Sequence, residues 1–147
     1  MKIVVQRVKE ASVTIDNTLK GKINTGLLIL LGIKSTDTEQ DVDYLVKKLT
    51  NLRIFSDEND KMNLSIKDIS GELLIISQFT LYGNCMKGNR PSFIDAAKPS
   101  HAIPLYEYFI SECKKEIPIV KTGIFGADMK VNLLNDGPVT IIIDSEK

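Results

Sequence analysis

The chain has 147 residues, which is enough for one domain with a sizeable core and too few for two comfortable domains. Hydrophobic residues make up 43% of the chain and charged residues 26%, as in ordinary globular proteins, and no apolar run approaches the ~20 residues that a membrane-spanning helix needs. Lys and Arg together number 19, as do Asp and Glu, so the zero formal net charge excludes a strong overall field that would attract nucleic acid.

The two cysteines and the N-terminal segment indicate the compartment. Cys85 and Cys113 lie far apart without a Cys-x-x-Cys spacing, which argues against a zinc site or a disulfide framework and favours a reducing environment. The N-terminal apolar stretch is interrupted by Gln6-Arg7 and is too short for a signal peptide. The sequence therefore predicts a cytoplasmic protein.

The first part of the chain predicts a series of strands. Residues 2–8 are rich in β-branched side chains, and residues 11–15 and 19–23 flank a turn-forming segment, as in a hairpin. Residues 26–33 form an apolar run bounded by glycines, which is too short for a buried helix. We expect this run to be a central strand that is buried on both faces.

The hydrophobic period then changes from that of a strand to that of a helix. Thr36-Asp37-Thr38-Glu39 has the pattern of a capping box, in which a hydroxyl and a carboxylate satisfy free N–H groups at a helix start. Apolar side chains follow at helical spacing and predict an amphipathic helix that packs on the sheet. These side chains are Val42, Leu45, Val46, Leu49 and Leu52. Residues 53–55 predict a short strand and residues 56–63 a polar turn.

The second half predicts another buried strand, a long loop and a second helix. Residues 73–79 form the strand, and residues 82–92 form a loop with two glycines and one proline. Ser100 is the expected cap of a helix that ends near Lys115, with Pro104 in its first turn. Leu105, Phe109 and Cys113 recur every four residues on its inner face.

The C-terminal part predicts two more strands, residues 129–134 and 139–143, joined by a turn at residues 135–138. Roughly eight strands and two main helices in mixed order do not form a regular βαβ alternation. The expected fold is a single α/β domain over residues 1–147. Its sheet is mixed, largely antiparallel and strongly curved, resembling a barrel, in a β/β/α layering with the helices on one side.

The chain lacks several common catalytic motifs. It contains no phosphate-binding Gly-x-x-x-x-Gly-Lys-Ser/Thr loop, no Gly-x-Gly-x-x-Gly fingerprint and no Gly-x-Ser-x-Gly elbow. His101 is its one histidine, so a His-based metal cluster is excluded by count. An enzyme of this composition is expected to work without metal and without a histidine base.

What remains is a site built from hydroxyls, amides and backbone N–H groups. Ser77-Gln78-Phe79-Thr80 ends the second buried strand, and a second polar turn is Asn135-Asp136-Gly137-Pro138-Val139-Thr140. Such groups can catalyse acyl transfer when N–H groups meet a developing oxyanion and the substrate carries its own activating group. The 2′-OH next to the ester of an aminoacyl-tRNA is such a group. From the local pattern, both segments also fit a structural reading, as a strand end and an ordinary trans turn.

Ser77-Gln78-Phe79-Thr80 and Asn135-x-Gly137-Pro138-x-Thr140 resemble the two signature motifs of the D-aminoacyl-tRNA deacylase family. The likeness runs along nearly the whole chain, and Lys121 is a mild departure where an apolar residue is expected. Further matching segments are Gln6-Arg7-Val8, Gly26-Leu27-Leu28, residues 51–55 and 61–63, residues 87–93, and Thr122-Gly123-x-Phe125-Gly126-Ala127-x-Met129.

The resemblance implies an ester hydrolase that releases D-amino acids, and also glycine, from tRNA while sparing L-aminoacyl-tRNA. It implies no metal or cofactor. It further implies a homodimer whose sites lie at the interface between the subunits and receive the acceptor end of the tRNA with its terminal adenosine.

The resemblance also assigns roles to individual residues. Ser77-Gln78-Phe79-Thr80 would line the pocket floor, with the N–H groups of Phe79 and Thr80 binding the substrate carbonyl or oxyanion. Gly137-Pro138, held cis in the family, would enter from the partner subunit and capture the α-amino group with its carbonyl oxygens, and Arg7 would help to fix this motif. An L side chain would then collide with protein while a D side chain points out. The wall near the adenosine would consist of Phe125, Gly126, Ala127 and Met129.

Several alternatives stay open at this point. Thr80 is either a nucleophile or a positioned hydroxyl that leaves the chemistry to water and the 2′-OH. The scaffold could also be a non-catalytic tRNA-binding module, or an esterase for small D-amino-acid compounds. Phe125 and Met129 could simply pack in the core. Lys87 and Arg90 fit a solvated loop as well as an RNA contact.

Overall fold

A computed structural model describes residues 1–146 of the chain. The strands of this part are β1 (Lys2–Ile15), β2 (Thr18–Ile23), β3 (Gly26–Gly32), β4 (Phe55–Ser56), β5 (Met62–Leu64), β6 (Glu72–Ser77), β7 (Val120–Thr122) and β8 (Lys130–Asp144). Its helices are α1 (Glu39–Asn51) and α2 (Pro99–Glu116), and a 3-10 turn spans Phe79–Tyr82.

The main sheet is built around the long strand β1. One edge of β1 pairs with β3 along its first half and with β2 along its second half, while β8 follows the opposite edge, all antiparallel. Strand β6 lies parallel to β3, and β7 lies parallel to β6. Gly21 of β2 faces β7 closely, because a Cβ placed on it would lie 3.3 Å from Lys121 Cβ. The sheet therefore nearly closes, which confirms the predicted mixed, barrel-like sheet of a single α/β domain.

The strands β3 and β6 are buried on both faces, as predicted. Leu28, Leu74 and Ile76 belong to a cluster inside the curved sheet. The alternate residues of the same strands, such as Leu27 and Ile75, pack toward the helices. Since each fully buried Leu or Ile side chain contributes roughly 1.5–3 kcal/mol, the two strands are held firmly in register.

Helix α1 begins two residues later than the expected capping box. Thr38 is its N-cap, and the Thr38 N–H donates to Asp41 Oδ2 at 2.8 Å, so Thr38 and Asp41 replace Thr36 and Glu39 in the box. The reason is that Asp37 is engaged elsewhere: its carboxylate is buried against the α-ammonium group of Met1 at 2.5 Å and accepts the Lys34 N–H at 2.6 Å. Four residues of the predicted inner face of α1 are buried, whereas the fifth, Leu52, is the C-cap of the helix and is half-buried.

Helix α2 begins at Pro99 with Lys98 as its N-cap, so Ser100 lies inside the first turn and is not the cap that was predicted. Pro99 suits the first helical position because its fixed φ fits and no N–H is lost from the ladder. Pro104 therefore lies in the second turn rather than the first, and the carbonyl of the exposed Ser100 is left to solvent. Leu105, Phe109 and Cys113 are buried as predicted, and burial raises the pKa of the Cys113 thiol to about 12. Among residues 1–146, no helix is long and apolar enough to cross a membrane.

Several strand boundaries differ from the prediction. The strand expected over residues 73–79 ends at Ser77, and Phe79 instead begins a 3-10 turn. The strands predicted over residues 129–134 and 139–143 are one continuous strand, β8, because β1 supports it along nearly its whole length. Likewise β1 has no break between the two strands predicted at its start. The short strand β7 was not predicted from the sequence.

A candidate active site at the end of β6

A pocket of about 260 Å³ opens at the carboxyl end of β6. It brings together seven of the residues that the sequence predicts for the site, from two distant segments of the chain. These residues are Ser77, Gln78, Phe79, Phe125, Gly126, Ala127 and Met129.

The floor of the pocket is formed where β6 stops and the chain turns. The Gln78 N–H donates to Leu31 O at 2.8 Å, and the 3-10 turn then begins with the Leu81 N–H donating to Gln78 O at 3.3 Å. The N–H groups of Phe79 and Thr80 come before this first bond of the turn, so the turn itself gives them no acceptor. Two adjacent backbone donors thus stand at the end of a rigid, fully buried strand.

Thr80 lies at the edge of this floor rather than among the residues that line the pocket. Its side chain is exposed, and its hydroxyl accepts a hydrogen bond from the Gln78 amide. Since Gln78 lines the pocket, this bond links the orientation of the amide to that of the hydroxyl.

The pocket offers little for general-base catalysis. Of its lining residues only Asp128 is titratable, and this exposed carboxylate accepts two hydrogen bonds of 3.0 Å from Lys130 Nζ. His101 does not line the pocket, and its Nε2 lies 2.9 Å from the carbonyl oxygen of Asp37. The arrangement therefore provides hydrogen-bond donors, hydroxyls and apolar walls rather than an acid–base pair.

The wall of the pocket is anchored in both halves of the core. Phe125 packs on the buried ring of Tyr106 of α2, with the ring centroids 5.7 Å apart, and burial raises the pKa of the Tyr106 hydroxyl. Met129 packs with the cluster inside the curved sheet. The wall is thus held from two sides, although Phe125 and Met129 each also take part in core packing.

The rim of the pocket is aromatic. Phe79 has 55% of its surface exposed, and its ring meets that of Phe93 edge-on, with centroids 5.1 Å apart. Phe93 follows the loop of residues 84–92, so this contact joins the loop to the pocket.

Gly137-Pro138 lies in an outward excursion of β8. Val8 of β1 pairs with Asn135 of β8, and Gln6 of β1 pairs with Thr140 of β8. An advance of five residues along β8 therefore lies opposite an advance of only two residues along β1, so β8 bulges outward here. The Gly137-Pro138 peptide bond is cis, and both residues are exposed.

Two side chains hold this excursion in place. Arg7 donates from Nε to Asp136 O at 3.0 Å and from Nη1 to Ile54 O at 2.7 Å. The Asn135 amide donates to Arg7 O at 3.1 Å and to Val139 O at 3.0 Å, bridging the two sides of the excursion. Arg7 thus contacts the motif that it was expected to fix. Asn135 also fixes the motif, and its position within the motif could have predicted this role.

The structure does not bring Arg7, Gly137 or Pro138 to the pocket of the same chain. Ser77 of β6 pairs with Leu31 of β3, which pairs with Ile3 of β1, and Ile3 in turn pairs with Ile143 of β8. Gly137-Pro138 of β8 lies opposite Arg7, which is four residues beyond Ile3 along β1. Gly137-Pro138 is therefore separated from Ser77 by about 13 Å along the strand direction and by three strand spacings, or about 14 Å, across the sheet.

The remaining lining residues were not predicted from the sequence. They come from β3, β6, β8, α2 and the loops beside these elements, and no local pattern marks them, because only the packing of these elements puts them together. They are Leu31, Ile33, Ile76, Ala97, Ala102, Asp128 and Val131.

The chain is similar in sequence to known proteins. The model of the family described as D-Tyr-tRNA(Tyr) deacylase matches residues 4–144. A protein of Flavobacterium psychrophilum named D-aminoacyl-tRNA deacylase is 59% identical over 147 residues, covering 99% of this chain and 98% of that protein. A protein of Clostridium novyi with the same name is also 59% identical, with 100% and 99% of the two chains covered.

Two solved structures are similar to this one. The structure titled c-Myc DNA Unwinding Element Binding Protein superimposes with a TM-score of 0.95 at 41% identity, and each chain is fully covered. A structure described as a probable eukaryotic D-amino acid tRNA deacylase has a TM-score of 0.84 at 16% identity, with 97% of each chain covered. The second likeness shows a shared fold alone.

These matches extend over nearly the whole chain. They confirm the predicted resemblance, and they confirm that the protein is an enzyme, a deacylase of the hydrolase class. The chain belongs to the D-Tyr-tRNA(Tyr) deacylase family.

Proposed function

We propose that this protein hydrolyses the ester bond of D-aminoacyl-tRNA, and of glycyl-tRNA, and rejects L-aminoacyl-tRNA. The observation that carries the proposal is the single pocket that joins Ser77, Gln78 and Phe79 to the wall formed by residues 125–129. The names of the curated relatives supply the substrate class. The reaction then belongs to the cytoplasm, where aminoacyl-tRNA is made and used.

The pocket floor stabilises the charge that develops on the ester carbonyl. The N–H groups of Phe79 and Thr80 are adjacent, lie at the end of a buried strand and have no acceptor within the 3-10 turn. Donors that are held in place before the reaction need no reorganisation when the oxyanion forms, and one such donor is typically worth 10²–10³-fold in rate. Water is the nucleophile, and the tRNA 2′-OH, a neighbour of the ester, assists it in place of a protein base.

Selection of the D configuration requires a second subunit. Gly137-Pro138 of the partner subunit enters the pocket, and its carbonyl oxygens bind the substrate α-amino group. The distance of this motif from the pocket of its own chain supports such an arrangement. So does β8, which among residues 1–146 pairs with β1 on one edge only and exposes apolar side chains, among them Leu134 (56% exposed) and Ile142 (66% exposed). With the carbonyl and the amino group both bound, an L side chain collides with protein, whereas glycine has no side chain to reject.

The test is a deacylation assay with matched D- and L-aminoacyl-tRNA, glycyl-tRNA, and a D-aminoacyl-tRNA that ends in 2′-deoxyadenosine. We expect rapid release from the D and glycyl esters, no acceleration of L-ester hydrolysis, and loss of at least about tenfold in rate with the deoxy substrate.

The other outcomes separate the alternatives. Undiminished release from the deoxy substrate would refute assistance by the 2′-OH and favour Thr80 as a nucleophile. Release from small D-aminoacyl esters at the same rate as from tRNA would favour a general esterase. Binding of the tRNA without any release would leave a non-catalytic tRNA-binding module.

A further inference from the structure

A loop of one charge sign stands beside the pocket. Residues 73–94 contain no Asp or Glu, and their two charged residues are Lys87 and Arg90. Both lie in the exposed loop of residues 84–92. In a protein whose charges balance overall, this loop is a local positive feature, and a positive feature attracts polyanions.

The loop is ordered at its base. Asn84 and Ser92 exchange two backbone hydrogen bonds of 2.8 and 2.9 Å, and the Asn84 side chain accepts the Met86 N–H at 2.9 Å. Within residues 1–146, neither Lys87 nor Arg90 forms an ion pair or a side-chain hydrogen bond, whereas Arg7 and Lys34, for example, are both engaged. Two cationic side chains are therefore presented on a fixed support with their charges unneutralised by the protein.

The support connects directly to the site. Phe93 follows Ser92 and packs edge-on against Phe79, which lines the pocket. The loop extends three to four residues beyond the Asn84–Ser92 bridge, which is roughly 10 Å at the rise of an extended chain. A ligand that extends out of the pocket past the rings of Phe79 and Phe93 would therefore pass close to Lys87 and Arg90.

We propose that Lys87 and Arg90 bind phosphates of the single-stranded 3′ end of the tRNA, next to the nucleoside that occupies the pocket. This inference rests on the proposed function, which places the end of a polyanionic chain in the pocket. Phosphate contacts carry no base information, so they serve tRNAs of any sequence. They act on the part of the substrate that does not react, and therefore lower KM more than they raise kcat.

The experiment compares the double variant Lys87→Ala/Arg90→Ala with the charge-matched control Lys61→Ala/Lys114→Ala. Lys61 and Lys114 are exposed, and Lys114 lies at the opposite end of α2 from the loop. Each protein is assayed on D-aminoacyl-tRNA and on D-aminoacyl-adenosine, which has the ester and the 2′-OH but no phosphate.

On D-aminoacyl-tRNA, the loop variant is expected to lose kcat/KM by about tenfold at low salt, through KM. The slope of log kcat/KM against log salt should become shallower by about 1.4, which is 0.7 for each of two single-strand phosphate contacts. On D-aminoacyl-adenosine, the kcat/KM of the loop variant should equal that of the wild-type protein. The kcat/KM of the control variant should equal that of the wild-type protein on both substrates.

A second pair of variants changes charge at a neighbouring position without removing a lysine or arginine. Cys85 is an exposed, free cysteine in the same loop. Cys85→Asp should raise KM for D-aminoacyl-tRNA, and the nearly isosteric Cys85→Asn should not, because an added carboxylate repels phosphate.

The proposal would be overturned by an unchanged salt slope in the Lys87→Ala/Arg90→Ala variant, or by an equal loss on D-aminoacyl-adenosine. The latter would mean that the loop supports the pocket rather than the RNA. A wild-type protein that releases no amino acid from D-aminoacyl-tRNA would instead refute the proposed function itself. Failure of the two proposals can thus be distinguished.

Discussion

Hydrogen-bond donors, and not bases, surround the position that the reacting ester would occupy. The amide of Gln78 binds the Thr80 hydroxyl, and the pocket's one titratable lining residue, Asp128, is exposed and paired with Lys130. A threonine hydroxyl needs a base in order to attack an ester. Thr80 as a positioned hydroxyl therefore agrees better with these contacts than Thr80 as a nucleophile.

Replacement of Thr80 tests this assignment. Because a positioned hydroxyl contributes a hydrogen bond and not a covalent bond, Thr80→Ala should lower kcat by about ten- to hundredfold, and Thr80→Ser should restore most of it. Rapid quenching followed by mass spectrometry should find no acyl-enzyme in the wild-type protein. A trapped acyl-Thr80 adduct, together with complete inactivity of Thr80→Ala, would contradict this expectation.

Gly137 has a backbone conformation that a side chain would disturb. Its φ is +136°, and a Cβ would lie 2.8 Å from Val139 Cγ2 and 3.1 Å from the Arg7 guanidinium. Gly137→Ala should therefore displace the Gly137-Pro138 carbonyls, and a displacement of about 1 Å can cost about a hundredfold in kcat/KM. Melting temperature and D-aminoacyl-adenosine hydrolysis should be measured together.

The matched control for this change is Gly88→Ala. Gly88 also has a positive φ, +88°, but a Cβ there meets no atom within 4 Å. Gly88→Ala should therefore lose stability only through its strained φ, and it should keep its activity on D-aminoacyl-adenosine. If Gly137→Ala were as active as this control, the motif would not contribute to the site.

At the level of secondary structure, the pocket depends on the pairing of β3 with β6. The two strands run parallel from Gly26 opposite Glu72 to Leu31 opposite Ser77, so the first pair of the ladder sets the position of the last. A shift at the start of β6 would move the pocket floor at its end. The site is therefore sensitive to a substitution five residues away from it along the strand.

Gly26→Ala should disturb the first pair of this ladder and destabilise the fold. A Cβ on Gly26 would lie 1.9 Å from the carbonyl oxygen and 2.6 Å from the amide nitrogen of Glu72, and backbone atoms cannot rotate out of the way. We expect the free energy of unfolding to fall by about 3 kcal/mol or more, as in overpacked cores. Urea denaturation measures this change.

Gly21→Ala is the matched control within the same sheet. Its Cβ would lie 3.3 Å from Lys121 Cβ and from Thr122 O, so a small movement of β2 relative to β7 relieves the contact. The expected loss is within about 1 kcal/mol. Equal losses for the two variants would contradict the importance of the Gly26–Glu72 pair.

For the whole molecule, the proposed site is shared between two chains. In the proposed dimer the pocket would belong to one subunit and Gly137-Pro138 to the other. Each of two different inactive variants would then keep the half of the site that the other variant lacks. Ala127→Phe fills the pocket, and Gly137→Ala disturbs the inserted motif.

Mixing the two inactive variants should restore activity. With random exchange of subunits, half of the dimers contain one chain of each kind, and each such dimer has one intact site, so activity should return to about a quarter of the wild-type value. The check is a deacylation assay after co-refolding in equal amounts. Each variant refolded alone is the control, and no recovery on mixing would argue that each site is complete within one chain.

Much of the local structure follows from the order of residues. Alternating and continuous apolar runs predicted β3 and β6, and helical spacing predicted the inner faces of α1 and α2, because burial of such faces decides local structure. Strand ends were less predictable: Phe79 has high strand propensity, yet β6 stops where Gln78 donates to Leu31 O and the chain turns. The capping box was misplaced because the buried ion pair of Asp37 with the Met1 ammonium joins residues far apart in the chain.

The two motifs and the family were readable from the residues, since short, strictly spaced polar segments retain their identity in any fold. That Ser77 and Phe79 meet Phe125 and Met129 in one pocket, or that Arg7 and Asn135 hold Gly137-Pro138 away from it, was decided only by tertiary structure. Those relations depend on the pairing of β1 with β8 and of β3 with β6 and on the packing of α2. Contacts between residues from about fifty to more than a hundred positions apart leave no periodic signal in the sequence, because they arise only when the sheet curves and its two cores are filled.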